Sequence, residues 1–280
     1  MYKILNKKQL NSQVVLMEIE APFIAKKVKA GQFIILRIDE KGERIPLTVA
    51  DFDAKKGTVT IIFQTVGFTT KRLATLNVGD SILDFVGPLG VPTHFGSPKK
   101  AIVIGGGVGC AIALPQAKAL KQMGVDVDVI AGFRSKDIVI LEEQMKEVSS
   151  NLYITTDDGS YGRKGLVTDV LEELLANGEY DLVIAIGPIV MMKFVSLATK
   201  KYGVKTIVSL NPIMIDGTGM CGGCRVSVGG QTKFACVDGP DFDGHLIDFD
   251  EAMKRGSVYK NFEGKKREES CNLLKAGEGK

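Results

Sequence analysis

A chain of 280 residues is longer than a single hydrophobic core usually grows, so two or three domains are expected. A hydrophobic fraction of 45%, a charged fraction of 25% and a formal net charge of +3 are ordinary for a globular protein and argue against a nucleic-acid or membrane-surface role. Met1-Tyr2-Lys3-Ile4-Leu5 lacks a signal-peptide h-region, and no apolar run reaches the roughly 18–20 residues of a bilayer span, so the expected location is the cytoplasm.

Residues 1–97 read as all-β. Val14–Ile19, Phe33–Ile38 and Val59–Phe63 are short runs of β-branched and aromatic residues, punctuated by Gly31, Gly42, Gly57 and Gly79-Asp80. Such a stretch is expected to close into a small barrel or sandwich that hides its edges. Gly87-Pro88-Leu89-Gly90, with Pro92 and Pro98, reads as a linker. Residues 98–210 then alternate strand and helix. Ala101–Ile104, Val125–Ala131, Leu152–Thr156, Leu182–Ile186 and Thr206–Leu210 are buried-strand candidates, and Leu166–Asn177 is the clearest helix, with Gly178 ending it. This alternation predicts a parallel sheet with right-handed crossovers, an α/β domain following the all-β one. Residues 211–250 form a glycine- and cysteine-rich segment, and 251–280 read as a charged, weakly patterned tail that lies on a partner or frays.

Three of the five cysteines crowd into Asp216-Gly-Thr-Gly-Met-Cys221-Gly-Gly-Cys224 and the following Cys236, which indicates metal chemistry rather than disulfides. The spacing from Asp216 matches the C-x4-C-x2-C…C rhythm of plant-type [2Fe–2S] sites, with a carboxylate in the first place. A carboxylate is a harder ligand than a thiolate and is expected to shift the potential. Two alternatives stay open: a zinc knuckle of Cys221, Cys224, Cys236 and His245, and unligated thiols. Cys110 and Cys271 read as a buried small residue and a surface thiol.

Ala101–Ala111 reads as a strand, a loop Gly105-Gly106-Gly107-Val108-Gly109-Cys110 and a helix start, where backbone N–H groups and the helix dipole favour a pyrophosphate. It is no clean G-x-G-x-x-G, and the next strand does not end in Asp or Glu, so a standard Rossmann site is disfavoured. Asp157, Asp158 and Gly159 follow one strand, and Gly187-Pro188 another, at the sheet edge where ligands gather. Each of these segments also reads as an ordinary turn. In the β domain, Arg44, Pro46, Leu47 and Thr48, and Gln64, Thr65, Gly67, Thr69 and Thr70, offer hydroxyls, amides and a glycine loop, which on chemistry alone read as ordinary barrel surface rather than a cofactor site.

Taken together these segments resemble the ferredoxin–NADP reductase superfamily over nearly the whole chain. Within it they are similar to the electron-transfer subunit of dihydroorotate dehydrogenase and its relatives, the small subunits of sulfide dehydrogenase and of electron-bifurcating NADH-dependent reduced ferredoxin:NADP oxidoreductase. The resemblance implies an FAD-binding barrel, an NAD(P)-binding α/β domain and a [2Fe–2S] segment, in that order. It implies flavin contacts at Pro46-Leu47-Thr48, with the family's Arg position held by Ile45 and the cation at Arg44. It implies a flavin-phosphate loop at Gly67-Phe68-Thr69-Thr70 and FAD-lining residues at Phe63-Gln64-Thr65. It also implies a pyridine-nucleotide loop at Gly105–Cys110 and a nicotinamide turn at Gly187-Pro188. Dihydroorotate dehydrogenase subunits have a fourth Cys where Asp216 stands here; an Asp/Cys3 set at Asp216, Cys221, Cys224 and Cys236 is similar to the bifurcating and sulfide-dehydrogenase branch. The implied activity is hydride exchange between NAD(H) and FAD and electron relay through the cluster to a larger FAD/[4Fe–4S] subunit in a 1:1 heterodimer, with ferredoxin reached through that partner. No general acid or base is required, and His94 and His245 read as structural. Arg134 offers a cation for a 2′-phosphate, so NADP(H) stays open beside NADH. The competing class is a zinc-stabilised nucleotide-binding regulatory module.

Overall fold

The computed structural model describes residues 1–258 and 262. The first sheet contains β1 (Tyr2–Asn11), β2 (Val14–Glu20), β3 (Phe33–Arg37), β4 (Ile45–Asp53), β5 (Thr58–Gln64), β6 (Ser81–Ile82) and β7 (Asp84–Leu89), in the order β6-β1-β2-β5-β4-β3-β7. All its pairings are antiparallel. The two ends of that order, β6 and β7, are separated in the chain by Leu83 alone, so the sheet curls back on itself into a nearly closed barrel. Alternation on β2 turns Val15, Met17 and Ile19 into the barrel, where they meet Ile4, Leu36, Ile61 and Phe63. Two short helices, α1 (Pro22–Ala25) and α2 (Phe68–Thr75), close the barrel, and Leu73 of α2 is fully buried. Each such side chain contributes about 1.5–3 kcal/mol on burial.

The segment Gly87–Leu89, read above as linker, belongs to β7, paired to β3 through Leu36↔Phe85 and Ile35↔Val86. The strand stands at the end of the sheet order, where the missing N–H of Pro88 breaks no second ladder.

The second region holds β8 (Lys100–Gly106), α3 (Cys110–Gln122), β9 (Asp126–Phe133), α4 (Glu142–Val148), β10 (Asn151–Thr156), β11 (Arg163–Lys164), α5 (Val167–Asn177), β12 (Leu182–Ile186), α6 (Ile189–Tyr202) and β13 (Lys205–Ser209). Beyond it come the hairpin β14 (Arg225–Val228) and β15 (Gln231–Phe234), the strand β16 (Asp241–Asp243) and α7 (Phe249–Gly256). The order β11-β10-β9-β8-β12-β13-β16 is parallel up to β13, and β16 adds an antiparallel edge. The expected alternation of strand and helix is therefore present, and both faces are covered. Ala101, Val103, Leu182 and Ile184 pack toward α3 and α4; Ile102, Ile104, Val183 and Ala185 pack toward α5 and α6. The second of these cores also takes in Phe33 and Ile35 of the barrel and Cys224, Val226, Ala235 and Cys236 of the C-terminal segment, so one apolar seam joins all three regions.

The first residues of the stretch read as a tail form α7. Asp248 caps it by accepting the Glu251 N–H at 2.9 Å, acidic residues fill its first turn and Lys254 and Arg255 its last. It packs on α6 with Lys193 bonded to Asp250 at 2.6 Å. The remainder of the expected tail, with Cys271, lies outside the described residues.

Candidate functional site

The carboxyl ends of the parallel strands open onto a cleft of about 1750 Å³ that reaches the barrel. Of the residues expected to bind a cofactor, Gly106, Gly107, Val108, Gly109, Asp157, Gly187, Pro188 and Gln64 line it. The loop after β8 and the turn after β12 touch. A Cβ on Gly109 would fall against the Ile186 carbonyl oxygen and 2.9 Å from Gly187 Cα, and one on Gly106 would fall 2.9 Å from Pro188 Cδ. Gly107 takes φ +57 and has open space where a Cβ would stand. Backbone therefore faces the cleft without side chains in the way, ahead of the N-terminal end of α3.

Other expected residues are placed differently. Cys110 is fully buried under Gly105, and burial pushes its thiol pKa up, so its side chain serves the core. Phe63 is inside the barrel at 2% exposure. The Thr65 hydroxyl donates to the Gln13 carbonyl at 3.1 Å, the Thr69 hydroxyl donates to Glu43, and the Gly67 N–H donates to the Thr70 hydroxyl at 3.1 Å as a helix cap. Asp158 turns to Ser160, whose hydroxyl and N–H donate to it and hold its carboxyl below the usual range, and Gly159 packs on Lys164.

Pro46, Leu47 and Thr48 are half-buried on β4. There the strand pairs with β3 (Ile35↔Pro46, Ile34↔Leu47, Phe33↔Thr48), while its pairing with β5 begins only at Val49↔Ile61. One edge of residues 45–48 is thus open among the described strands. Arg44, just before β4, points elsewhere: its Nε donates to the Ile215 carbonyl at 2.8 Å and a terminal nitrogen donates to the Asp216 carbonyl at 3.4 Å.

Sequence reasoning missed several cleft residues: Gln13, Val14, Leu166 and Phe194. Gln13 sits in the β1–β2 turn, where nothing in its type announces a ligand; its bonds from Gln64 Nε2 at 2.8 Å and from the Thr65 hydroxyl tie it to residues already singled out.

The cysteine segment folds into two donor pairs. The Cys221 thiol donates to Asp216 Oδ1 at 3.2 Å, and the Cys224 and Cys236 sulfurs lie 3.2 Å apart; none of the four described cysteines is in a disulfide. No group of three or more His, Cys, Asp and Glu able to hold a single ion forms among the described residues. His245 is engaged with the Thr199 hydroxyl at 3.0 Å, so the zinc knuckle is not assembled. Two pairs, rather than one cage, suit a two-iron cluster, in which each iron needs two protein donors. Burial works to raise the Asp216 pKa, but hydrogen bonds from Cys221, Thr218 and the Met220 N–H outweigh it and hold the carboxyl well below its usual range, ready as an anionic donor. Burial, with the Cys224 sulfur beside it, pushes the Cys236 thiol up to about 12, so Cys236 keeps its proton until a metal displaces it. Gly217, at φ +80, lets the loop sit on the barrel: a Cβ there would fall 2.8 Å from Ile35 Cδ1 and Leu89 Cδ1.

Comparison with known proteins agrees with this geometry. Residues 211–248 match the family described as the iron-sulfur cluster binding domain of dihydroorotate dehydrogenase B. A Clostridium beijerinckii chain described as an uncharacterized protein in the adh 3′ region is 57% identical over 274 residues, 95% of this chain and 93% of that one. A Thermotoga maritima chain named as a dihydroorotate dehydrogenase B (NAD(+)) electron transfer subunit homolog is 46% identical over 261 residues, 93% of this chain and 92% of that one. A chain of the solved NADH-dependent reduced ferredoxin-NADP oxidoreductase, a study of flavin-based electron bifurcation, superposes with a TM-score of 0.91 at 45% identity, covering 97% of this chain and 98% of that one. No helix among the described residues is long and apolar enough to cross a membrane.

Proposed function

This chain belongs to the electron-transfer subunits of the dihydroorotate dehydrogenase B type, and from that premise we propose that it exchanges a hydride with NAD(H) and relays electrons through a [2Fe–2S] cluster to a larger flavin/iron–sulfur partner. It is an oxidoreductase subunit, a flavoprotein with an iron–sulfur cluster. The observation that carries the finer reading is the pairing of Asp216 with Cys221 and of Cys224 with Cys236 at the foot of the flavin barrel.

When bound, a flavin accepts a hydride and releases its electrons singly, and an iron–sulfur cluster carries one electron at a time. The residues of this chain supply binding and orientation. Backbone groups of Gly106–Gly109 and the N-terminal end of α3 hold the pyrophosphate of the pyridine nucleotide, helped by the dipole of that helix. Gly187 and Pro188 leave the nicotinamide room beside the barrel, and Asp157 at the mouth accepts ribose or amide hydrogen bonds. The open edge of Pro46–Thr48 would take the flavin ring, and Gly67–Thr70 would face its phosphates. Asp216, Cys221, Cys224 and Cys236 would hold the cluster, as the pairs Asp216–Cys221 and Cys224–Cys236. No side chain is required as acid or base.

The branch of the family is the bifurcating one. Asp216 in place of a cysteine supports it, and so does the 45% identity to the solved NADH-dependent reduced ferredoxin-NADP oxidoreductase. On that branch the partner carries its own FAD and [4Fe–4S] clusters, and ferredoxin is reached through it. Anaerobic purification with the native partner, followed by iron, sulfide and flavin assays, tests the cofactors. Activity with NADH, ferredoxin and NADP is expected, without activity toward dihydroorotate; the reverse pattern rejects this branch. Asp216→Cys is expected to add thiolate-to-iron intensity to the visible spectrum, and an unchanged spectrum removes Asp216 from the ligand set.

A further inference from the structure

We propose that Arg44 is a positioning residue for the cluster, holding its carboxylate end against the flavin strand and raising its reduction potential. The inference rests on the two-iron reading of Asp216, Cys221, Cys224 and Cys236 given above.

Three observations carry it. First, Arg44 is half-buried, and its hydrogen bonds all go to main-chain oxygens of the cluster loop: Nε to Ile215 at 2.8 Å and a terminal nitrogen to Asp216 at 3.4 Å. Those two residues are the approach to the first iron donor, so the fork fixes the direction from which the carboxylate enters. The planar guanidinium suits this because one rigid group serves two acceptors; an ammonium does not reproduce that geometry. Second, no carboxylate side chain pairs with Arg44 among the described residues. Its charge is held in no ion pair among the described residues and stands beside a site built to hold an anion. Two ferric irons, two sulfides and four anionic donors carry net negative charge, and one more electron deepens it. A fixed cation therefore favours the reduced form over the oxidised one. Third, Arg44 directly precedes β4, whose open edge at Pro46–Thr48 is the flavin strand, and Gly217 is packed onto Ile35 and Leu89 of the same barrel. One side chain thus ties donor strand and acceptor loop together, as outer-sphere groups elsewhere orient metal ligands.

The test uses Arg44→Gln and Arg44→Lys in the full chain with its partner, purified without oxygen. The readouts are an EPR-monitored redox titration of the cluster and hydrogen–deuterium exchange of residues 213–221. For Arg44→Gln the ratio of reduced to oxidised cluster at the wild-type midpoint is expected to fall about tenfold, about 59 mV for one electron, and the loop is expected to exchange faster. Arg44→Lys restores the potential, because it keeps the charge, but not the loop protection, because it lacks the fork. Loss of iron with flavin retained in Arg44→Gln also supports the proposal. If that variant loses flavin as well, Arg44→Lys decides through its loop exchange. Potential and exchange both unchanged in Arg44→Gln overturn the proposal while leaving the cluster assignment standing. Wild-type protein without iron overturns both.

Discussion

Replacing Gly109 by alanine separates two effects that normally travel together. Gly109 has φ −58 and ψ −21, a helical conformation alanine adopts freely, so the loss of unfolded-state freedom alone would stabilise the variant by about 0.4–1 kcal/mol. The new methyl, however, meets the Ile186 carbonyl oxygen and lies 2.9 Å from Gly187 Cα, both backbone atoms of the turn after β12. Backbone does not rotate away as a side-chain tip does, and overpacking of this kind costs about 1–3 kcal/mol. The net expectation is a loss of about 1–2 kcal/mol, read as a lower urea midpoint with unchanged slope. Because the displaced loop lines the cleft, flavin reduction by NADH is expected to need higher NADH concentrations. Gly256→Ala is the control: nothing stands within 4 Å of its Cβ position, and it is expected to be neutral or slightly stabilising. Gly109→Ala as stable as wild type, with undiminished NADH response, would refute the argument that these two turns touch to build the nucleotide site.

Asp241 is half-buried with its Oδ1 enclosed, where burial raises its pKa against bonds from Ser209, Thr93 and Gln116. Its stability contribution is therefore complete below the ordinary carboxylate pKa and is lost as pH rises through the raised folded-state value. Asp241→Asn is expected to flatten the urea stability profile above the ordinary carboxylate range, and an identical slope in variant and wild type contradicts it. Tyr180 donates to buried Asp128 at 2.7 Å, so Tyr180→Phe is expected to cost about 1–3 kcal/mol in chemical denaturation. Cys224→Ser is expected to abolish iron binding, whereas Cys110→Ala, at a buried thiol remote in role, keeps the full iron content by colorimetric assay.

Much of the architecture was legible because burial writes itself into residue type. β5 and the strands β8, β9 and β12 are runs of β-branched residues that the sheets bury, and the Asp216–Cys236 spacing announced its donors before any fold was drawn. β1 escaped notice: of YKILNKKQLN only Ile4 is fully buried, because the strand lies near the end of the sheet order, pairing on its outer side only with the two residues of β6, and offers no apolar alternation. β7 escaped because Gly87-Pro88 signals a turn in most settings, and only its place at the end of the sheet makes a strand tolerable. The direction of Arg44 was beyond sequence altogether. A cation beside a flavin motif invites a flavin role, and only the arrival of Ile215 from a distant part of the chain redirects it.

The strand β16 comes from the cysteine segment yet completes the otherwise parallel sheet, pairing Phe242 with Val208 and Asp243 with Ile207. The iron-bearing part is consequently not an appendage that can be trimmed to leave a simple flavin reductase. A chain cut after residue 210 would present β13 as a bare edge, with Ile207 and Val208 uncovered and open to pairing with its neighbours. Loss of the cluster segment is thus expected to surface first as aggregation, before any defect in electron flow can be measured.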